Sequence, residues 1–234
     1  MYGKKQFSVR HFIMIPFEDP KFIESYKNFT DTLQSYNPKH FDADLLQKPS
    51  KLHISVLIFD LHENQEKISK VLNIMKEIQT EIKNLSKGEI TYKFGGYGAF
   101  DSFKNARVVY GKMVENDSYS KLEQIIDLVI KKLLDGGIIY KNELEGLHVK
   151  KEGSDSNPFY KIEMHLTLLN ATFLNKVLKK KNKKPIKNFD ATEINDCIQG
   201  LQLDDCPLKK IDFCVLREDK STGKYELIQS FDLV

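Results

Sequence analysis

The sequence predicts an α+β protein, and three observations carry that reading. Strand-like runs are twice followed by amphipathic helical stretches, later strands pair through tight hairpins, and no short-period repeat organises the chain. Phe7, Val9, Ile13 and Ile15 alternate up to Pro16, a first strand that ends where proline removes a donor. Asp19 and Pro20 then supply a helix cap and a first-turn proline, and Phe22, Tyr26, Phe29 and Leu33 fall on one helical stripe. Leu52 to Leu61 reads as a strand. Between Glu63 and Leu85, residues Ile68, Val71, Leu72, Met75, Ile78 and Ile82 recur at helical spacing.

Ile90 to Phe94 and Arg107 to Met113 read as two further strands, separated by a glycine-rich turn at Gly95, Gly96, Tyr97 and Gly98. Asp117 is the expected cap of a helix whose buried stripe is Leu122, Ile125, Ile126, Val129 and Leu133, closed by Gly136 and Gly137. Ile138 to Tyr140 starts another expected strand, and polar Lys150 to Asn157 is an expected exposed loop. Ile162 to Leu169 is the next strand. Ile211 to Arg217 and Tyr225 to Leu233 form a hairpin around Ser221 to Lys224.

Composition removes several classes. The chain has 234 residues, of which 41% are hydrophobic and 29% charged, too apolar for wholesale disorder and too charged for a membrane protein. No apolar run approaches the ~20 residues that span a bilayer. The N-terminal Met1 to Gln6 leads into a strand pattern rather than a signal-peptide core, so a soluble protein of cytoplasm or nucleus is expected. Lys and Arg total 36 against 33 Asp and Glu, and the resulting +3 does not by itself declare a nucleic-acid binder. Arg occurs only at 10, 107 and 217, which leaves little scope for bidentate phosphate clamps. Cys197, Cys206 and Cys214 are odd in number and lack a CxxC pattern, so neither a disulfide framework nor structural zinc is expected.

The chemical resource is histidine, at positions 11, 40, 53, 62, 148 and 165. Two strands share one local pattern: Leu52-His53-Ile54-Ser55-Val56-Leu57 and Met164-His165-Leu166-Thr167-Leu168-Leu169. Strand residues two apart share a face, so each strand presents an imidazole beside a hydroxyl while Ile54 and Leu166 point into a core. Neither motif supplies a His-x-x-x-His, Glu or Cys at metal-ligand spacing, and no metal or cofactor is expected. Tyr97 and Phe100, in and after the glycine-rich turn, read either as candidates for stacking on a base or as a turn residue and a core residue. Phe17, Arg10 and Tyr225 are further candidate neighbours. The other four histidines have no hydroxyl two residues on and read as structural or surface residues.

The paired motifs make the chain resemble the 2H phosphoesterase superfamily, in the LigT-like branch that holds the central domain of A-kinase anchoring protein seven and the phosphoesterase domain of an activating signal cointegrator complex subunit. The resemblance runs in order through His11–Phe17, Leu52–Leu57, Tyr92–Phe100, Met164–Asn170 and Ile211–Leu216, and Asn170–Phe173 and Phe189–Ala191 lean toward the cointegrator-type relatives. Ser55 stands where Thr is commoner, with the hydroxyl retained. The resemblance implies one bilobal domain over residues 1–234, with two antiparallel sheets and flanking helices around a central cleft and one motif per lobe.

It also implies a metal-independent phosphodiesterase acting on RNA ends, 2′,3′-cyclic phosphates or 2′,5′-linked oligonucleotides. His53 and His165 are then the acid–base pair, and Ser55 and Thr167 donate to non-bridging oxygens. The motifs leave open whether water or a ribose 2′-hydroxyl attacks, and which histidine is the acid. A bell-shaped pH profile near neutrality is expected. The expected partner is RNA, a short oligonucleotide or a nucleoside phosphate, within a larger RNA-processing complex. The alternative is a nucleotide-binding or scaffolding module with the same pocket and no turnover. Lys179 to Lys184 is the densest basic run and reads either as a phosphate-tracking or nuclear-localisation patch, or as a solvated loop.

Overall fold

The computed structural model describes residues 10–62, 64–86 and 89–233. Phe7, Val9 and Glu63, which the sequence assigned to the first strand and the second helix, lie outside them. The elements run β1 (Arg10–Pro16), α1 (Pro20–Tyr36), β2 (His53–Asp60), α2 (Gln65–Leu85), β3 (Thr91–Tyr92), β4 (Phe94–Ala99), β5 (Val108–Met113) and α3 (Asp117–Asp135). They continue with β6 (Val149–Ser154), β7 (Asn157–Ile162), β8 (His165–Asn170), α4 (Ala171–Lys180), α5 (Thr192–Ile198), β9 (Cys206–Pro207), β10 (Lys210–Glu218) and β11 (Tyr225–Asp232). One antiparallel sheet has the order β11-β10-β1-β2 and a second has the order β4-β5-β8. Two smaller pairs, β3-β9 and β6-β7, accompany the two expected sheets.

The predicted helices form for the predicted reasons. Asp19 accepts the Lys21 N–H at the start of α1, Pro20 occupies the first turn, and Phe22, Tyr26, Phe29 and Leu33 are the buried stripe. Asn64 caps α2 by accepting the Lys67 N–H. In α3 the cap is Asn116, which accepts from Tyr119, and not Asp117 as the sequence suggested. Asp117 instead sits in the first turn, where a negative charge suits the helix dipole. Gly137, at φ +63, turns the chain out of α3.

Further expectations change. The glycine-rich segment is a strand: β4 pairs with β5 through Tyr97↔Gly111, Gly98↔Tyr110 and Ala99↔Val109, and a bulge with Gly96 at φ +101 absorbs the glycines. The predicted Ile90–Phe94 strand shrinks to β3 and pairs with β9. Ile138 to Tyr140 forms no strand; Ile138 and Ile139 are buried against the core. Lys150 to Asn157 lies mostly in the β6-β7 hairpin, whose β6 residues are all exposed except Val149, so a polar composition belongs to a strand with no second layer over it. Asp127 on α3 accepts the Tyr160 N–H at 2.8 Å and pins that hairpin.

The predicted strand Ile162–Leu169 divides at Glu163 and Met164, because Ile162 pairs with β6 whereas His165 opens β8 and pairs with β5. The main hydrophobic core draws on both large sheets and all five helices. A second, smaller cluster of Phe12, Met14 and Cys214, joined by Ile58 and Tyr225, covers the other face of the four-stranded sheet. Among the described residues no helix is long and apolar enough to cross a membrane.

Candidate active site

β2 and β8 are edge strands of the two large sheets, and they meet. Their burial repeats: His53 and Ser55 are half-buried while Ile54 and Val56 are buried, and His165 and Thr167 are half-buried while Leu166 and Leu168 are buried. Each strand then breaks its alternation at one place. Ile13 and Met14 of β1 pair with Leu57 and Ser55, leaving Val56 as the bulge, and Val109 and Tyr110 of β5 pair with Leu169 and Thr167, leaving Leu168. The bulge reverses the facing of the rest of the strand, so Leu57 and Leu169 return to the core while the imidazole and hydroxyl face away from it. The doubled apolar pairs Val56-Leu57 and Leu168-Leu169 were the signal for this, one that a strict period of two passes over.

Both imidazoles are oriented in the same way. His53 Nδ1 lies 2.8 Å from the Lys51 carbonyl, and His165 Nδ1 lies 2.8 Å from the Glu163 carbonyl. A carbonyl only accepts, so each Nδ1 carries a proton and the Nε2 of each neutral ring is the basic nitrogen. Ser55 is therefore the donor in the 3.0 Å contact between its Oγ and His53 Nε2.

Aromatic rings hold the imidazoles in matched triads. His53 stands edge-on to Phe12 and Tyr225, at centroid distances of 5.5 and 5.3 Å, and those two rings are 4.9 Å apart. His165 stands edge-on to Phe100 and Tyr110, at 4.9 and 5.5 Å, and those two are also 4.9 Å apart. Phe100 and Tyr225, named as candidates from the sequence, thus lie beside the two histidines, and so do Tyr110 and Phe12, which no local pattern marks.

Tyr97 is placed elsewhere. Its ring stacks on Phe29 and its hydroxyl donates to the Leu201 carbonyl at 2.8 Å, on the face of β4 opposite Phe100, so packing occupies the side chain proposed for stacking on a base. Phe17 is 1% exposed and packs among Phe22, Tyr92 and Phe94 in the core. Arg10 pairs with Asp60, at the end of β2 away from His53. His40, His62 and His148 are exposed and sit at positive φ in connecting segments, and His11 is buried near the Phe213 ring.

The environments shift both histidines downward. Burial pushes the His53 pKa to about 4, only partly offset by its bond to the Lys51 carbonyl, and the charge of His165 lowers it further. His165 is also lowered by burial, but the Glu163 carbonyl and carboxylate act in the other direction. The charge of His165 is felt at His53, and the strands that carry the two rings, β2 and β8, are in contact. Gln47, 4% exposed, links the halves: its N–H donates to the Leu168 carbonyl at 2.8 Å, and its own carbonyl accepts from the Tyr26 hydroxyl at 2.7 Å. Among the described residues, no three His, Cys, Asp or Glu side chains converge as a metal site requires.

Two antiparallel sheets that carry His-x-hydroxyl strands on adjoining edges define a LigT-like 2H phosphoesterase fold. A solved structure of TT0787 from Thermus thermophilus superposes with a TM-score of 0.58 at 12% identity, covering 96% of this chain and 97% of that one. Escherichia coli LigT complexed with 3′-AMP gives 0.52 at 11% identity, covering 97% and 98%, and LigT complexed with ATP gives 0.51 at 12%, covering 97% and 99%. No curated protein matches the sequence. The chain belongs to the family of the AKAP7 2′5′ RNA ligase-like domain, whose model matches residues 9–233.

Proposed function

We propose that the protein is a metal-independent phosphodiesterase acting on RNA ends, 2′,3′-cyclic phosphates or 2′,5′-linked oligonucleotides, with His53 as general base and His165 as general acid. The observation that carries this reading is the repeated unit of imidazole, hydroxyl and bulge, with both Nδ1 atoms locked so that both Nε2 atoms serve proton transfer. LigT complexed with ATP and with 3′-AMP supports a nucleoside phosphate as the ligand class here. RNA partners, a larger RNA-processing assembly and a nuclear or cytoplasmic setting belong to the same reading.

For a cyclic phosphate, His53 Nε2 takes a proton from water as the water oxygen bonds to phosphorus. The bond from phosphorus to one ribose oxygen breaks, and His165 passes its Nε2 proton to that oxygen, leaving a phosphate monoester. If a ribose 2′-hydroxyl attacks a diester instead, the same transfers yield a 2′,3′-cyclic phosphate and release the 5′-oxygen of the next nucleotide. Ser55 and Thr167 donate to the non-bridging oxygens as charge builds there. The bound phosphate turns Ser55 away from His53 Nε2, freeing that nitrogen for the attacker.

The two environments support this division of roles. A histidine lowered to about 4 stays neutral and serves as base, and one with a carboxylate beside it is the better acid. For the free enzyme, kcat/KM rises as pH passes through about 4 and falls as His165 loses its proton below its ordinary value of 6.5. The optimum therefore lies on the acid side of the near-neutral bell expected from the motifs alone.

The test is turnover of 2′,3′-cyclic nucleotides, 2′,5′-oligoadenylate and 3′,5′-oligoribonucleotides in EDTA. His53→Ala and His165→Ala should each lower kcat/KM by about 10²–10⁴-fold. Equal rates in wild type and both variants would remove the assignment, and tight nucleotide binding with no product from any substrate would make the protein a binding module.

A further inference from the structure

Beside His53 lies a group of charges that two-histidine chemistry does not use. Lys51 ends a single 3₁₀ turn, Pro49–Lys51, whose Ser50 hydroxyl donates to the Gly223 carbonyl and so ties it to the β10-β11 turn. The Lys51 ammonium stands 5.1 Å over the Tyr225 ring, which is itself edge-on to His53 at 5.3 Å, so it lies no farther from the imidazole than those two distances together. Lys48 and Lys51 both bond the Glu218 carboxylate, Lys48 at 2.8 Å, and hold its pKa down at about 2. α4, on the other lobe, packs against the single turn Ala43–Leu45 that leads into Lys48, and its Lys176 feels the same charges: burial lowers its pKa first, then repulsion by Lys51 and Lys48, against an attraction to Glu218.

Two lysines thus bond one carboxylate and a third lies within its field, and the excess is positive. Lys51 is nearly buried, and a buried cation next to a proposed phosphate site needs more than a shared counterion. Lys179 and Lys180 follow Lys176 at helical spacings of three and four, so the basic surface continues along α4 toward solvent.

We propose that Lys48, Lys51 and Lys176 form a subsite for a second phosphate of the substrate, one nucleoside removed from the phosphate between His53 and His165. The proposal rests on the phosphodiesterase reading for the position of the first phosphate. Glu218 is the internal anion with which the second phosphate competes. The subsite selects a nucleotide that is phosphorylated or extended on its 5′ side over a bare cyclic mononucleotide.

Product-like ligands test this without turnover. Calorimetry in EDTA compares adenosine 3′-phosphate, adenosine 3′,5′-bisphosphate and the dinucleotide ApAp, in which an internucleotide phosphate takes the second position. Wild type should bind at least one of the latter two about ten-fold more tightly than the 3′-phosphate. A preference shared by ApAp identifies an internucleotide phosphate as the occupant, and one confined to the bisphosphate identifies a terminal phosphate. Lys48→Gln combined with Lys176→Gln should abolish the preference, and Glu218→Gln should enlarge it, an opposite sign that misfolding does not produce. Equal affinity for all three ligands, or a preference indifferent to these substitutions, overturns the subsite. Turnover without the preference leaves the catalytic reading standing alone, and the preference without turnover leaves only the subsite.

Discussion

Around His53 the ring is wedged between Phe12 and Tyr225; around His165 the corresponding places belong to Phe100 and Tyr110, at nearly the same distances. Both rings donate Nδ1–H to the carbonyl two residues back, and both strands bulge at the residue after the hydroxyl. The surroundings then diverge. Burial brings His53 down to about 4, whereas His165 lies beside the exposed Glu163 carboxylate. Identical motifs thus acquire different proton affinities from residues outside the motif. In the proposed mechanism this difference, and not the motif itself, separates the base from the acid.

Four substitutions probe how far the resemblance between the halves extends. The largest effect belongs to the hydroxyls: Ser55→Ala and Thr167→Ala should each lower kcat by about 10²–10³-fold, the usual loss on removing one oxyanion donor. Single-turnover rates check this, and a loss confined to one of the two would break the functional equivalence of the motifs.

Gly98→Ala comes next and acts only on the His165 half. A Cβ at Gly98 would come within 2.6 Å of Tyr110 Cζ and 2.8 Å of Lys112 Cε. The lysine end can move, but the Tyr110 ring packs against both Phe100 and His165, so the imidazole moves with it. The expected loss in kcat reaches about 10²-fold, the cost of a small misplacement of a reacting group, with the His53 limb of the pH profile unchanged. Activity equal to wild type would show that His165 does not depend on its tyrosine.

Glu163→Gln should have the smallest effect. Its carboxylate raises the His165 pKa, so removing the charge lowers that pKa and moves the alkaline limb of kcat/KM to lower pH, while the acid limb set by His53 stays in place. Because Glu163 is exposed, added salt should shrink the shift. A pH–rate series at two ionic strengths checks both statements, and movement of the acid limb instead would reverse the assignment of base and acid.

Much of this was legible in the residues. The α1 stripe, the β10-β11 hairpin and the His-x-hydroxyl pattern are local, because capping, helical spacing and alternation depend on neighbours in sequence. The failures share a cause. The β6-β7 hairpin is polar because nothing covers its outer face, and β4 is glycine-rich because Tyr110 and Lys112 need the space over Gly98. Tyr97 resembled a stacking residue until its partners Phe29 and Leu201, both far along the chain, were in view.

By itself the sequence determined which strands carry an imidazole beside a hydroxyl, and that Ile54 and Leu166 turn to the core, since side-chain alternation is a property of the strand alone. Only the tertiary structure decided that the two strands meet, that a bulge re-aims each of them, and that one histidine is held at a far lower pKa than its ordinary value. Burial at these positions comes from Phe12 and Tyr225 around His53 and from Phe100 and Tyr110 around His165, which the sheets bring to the histidines and which no local spacing connects to them.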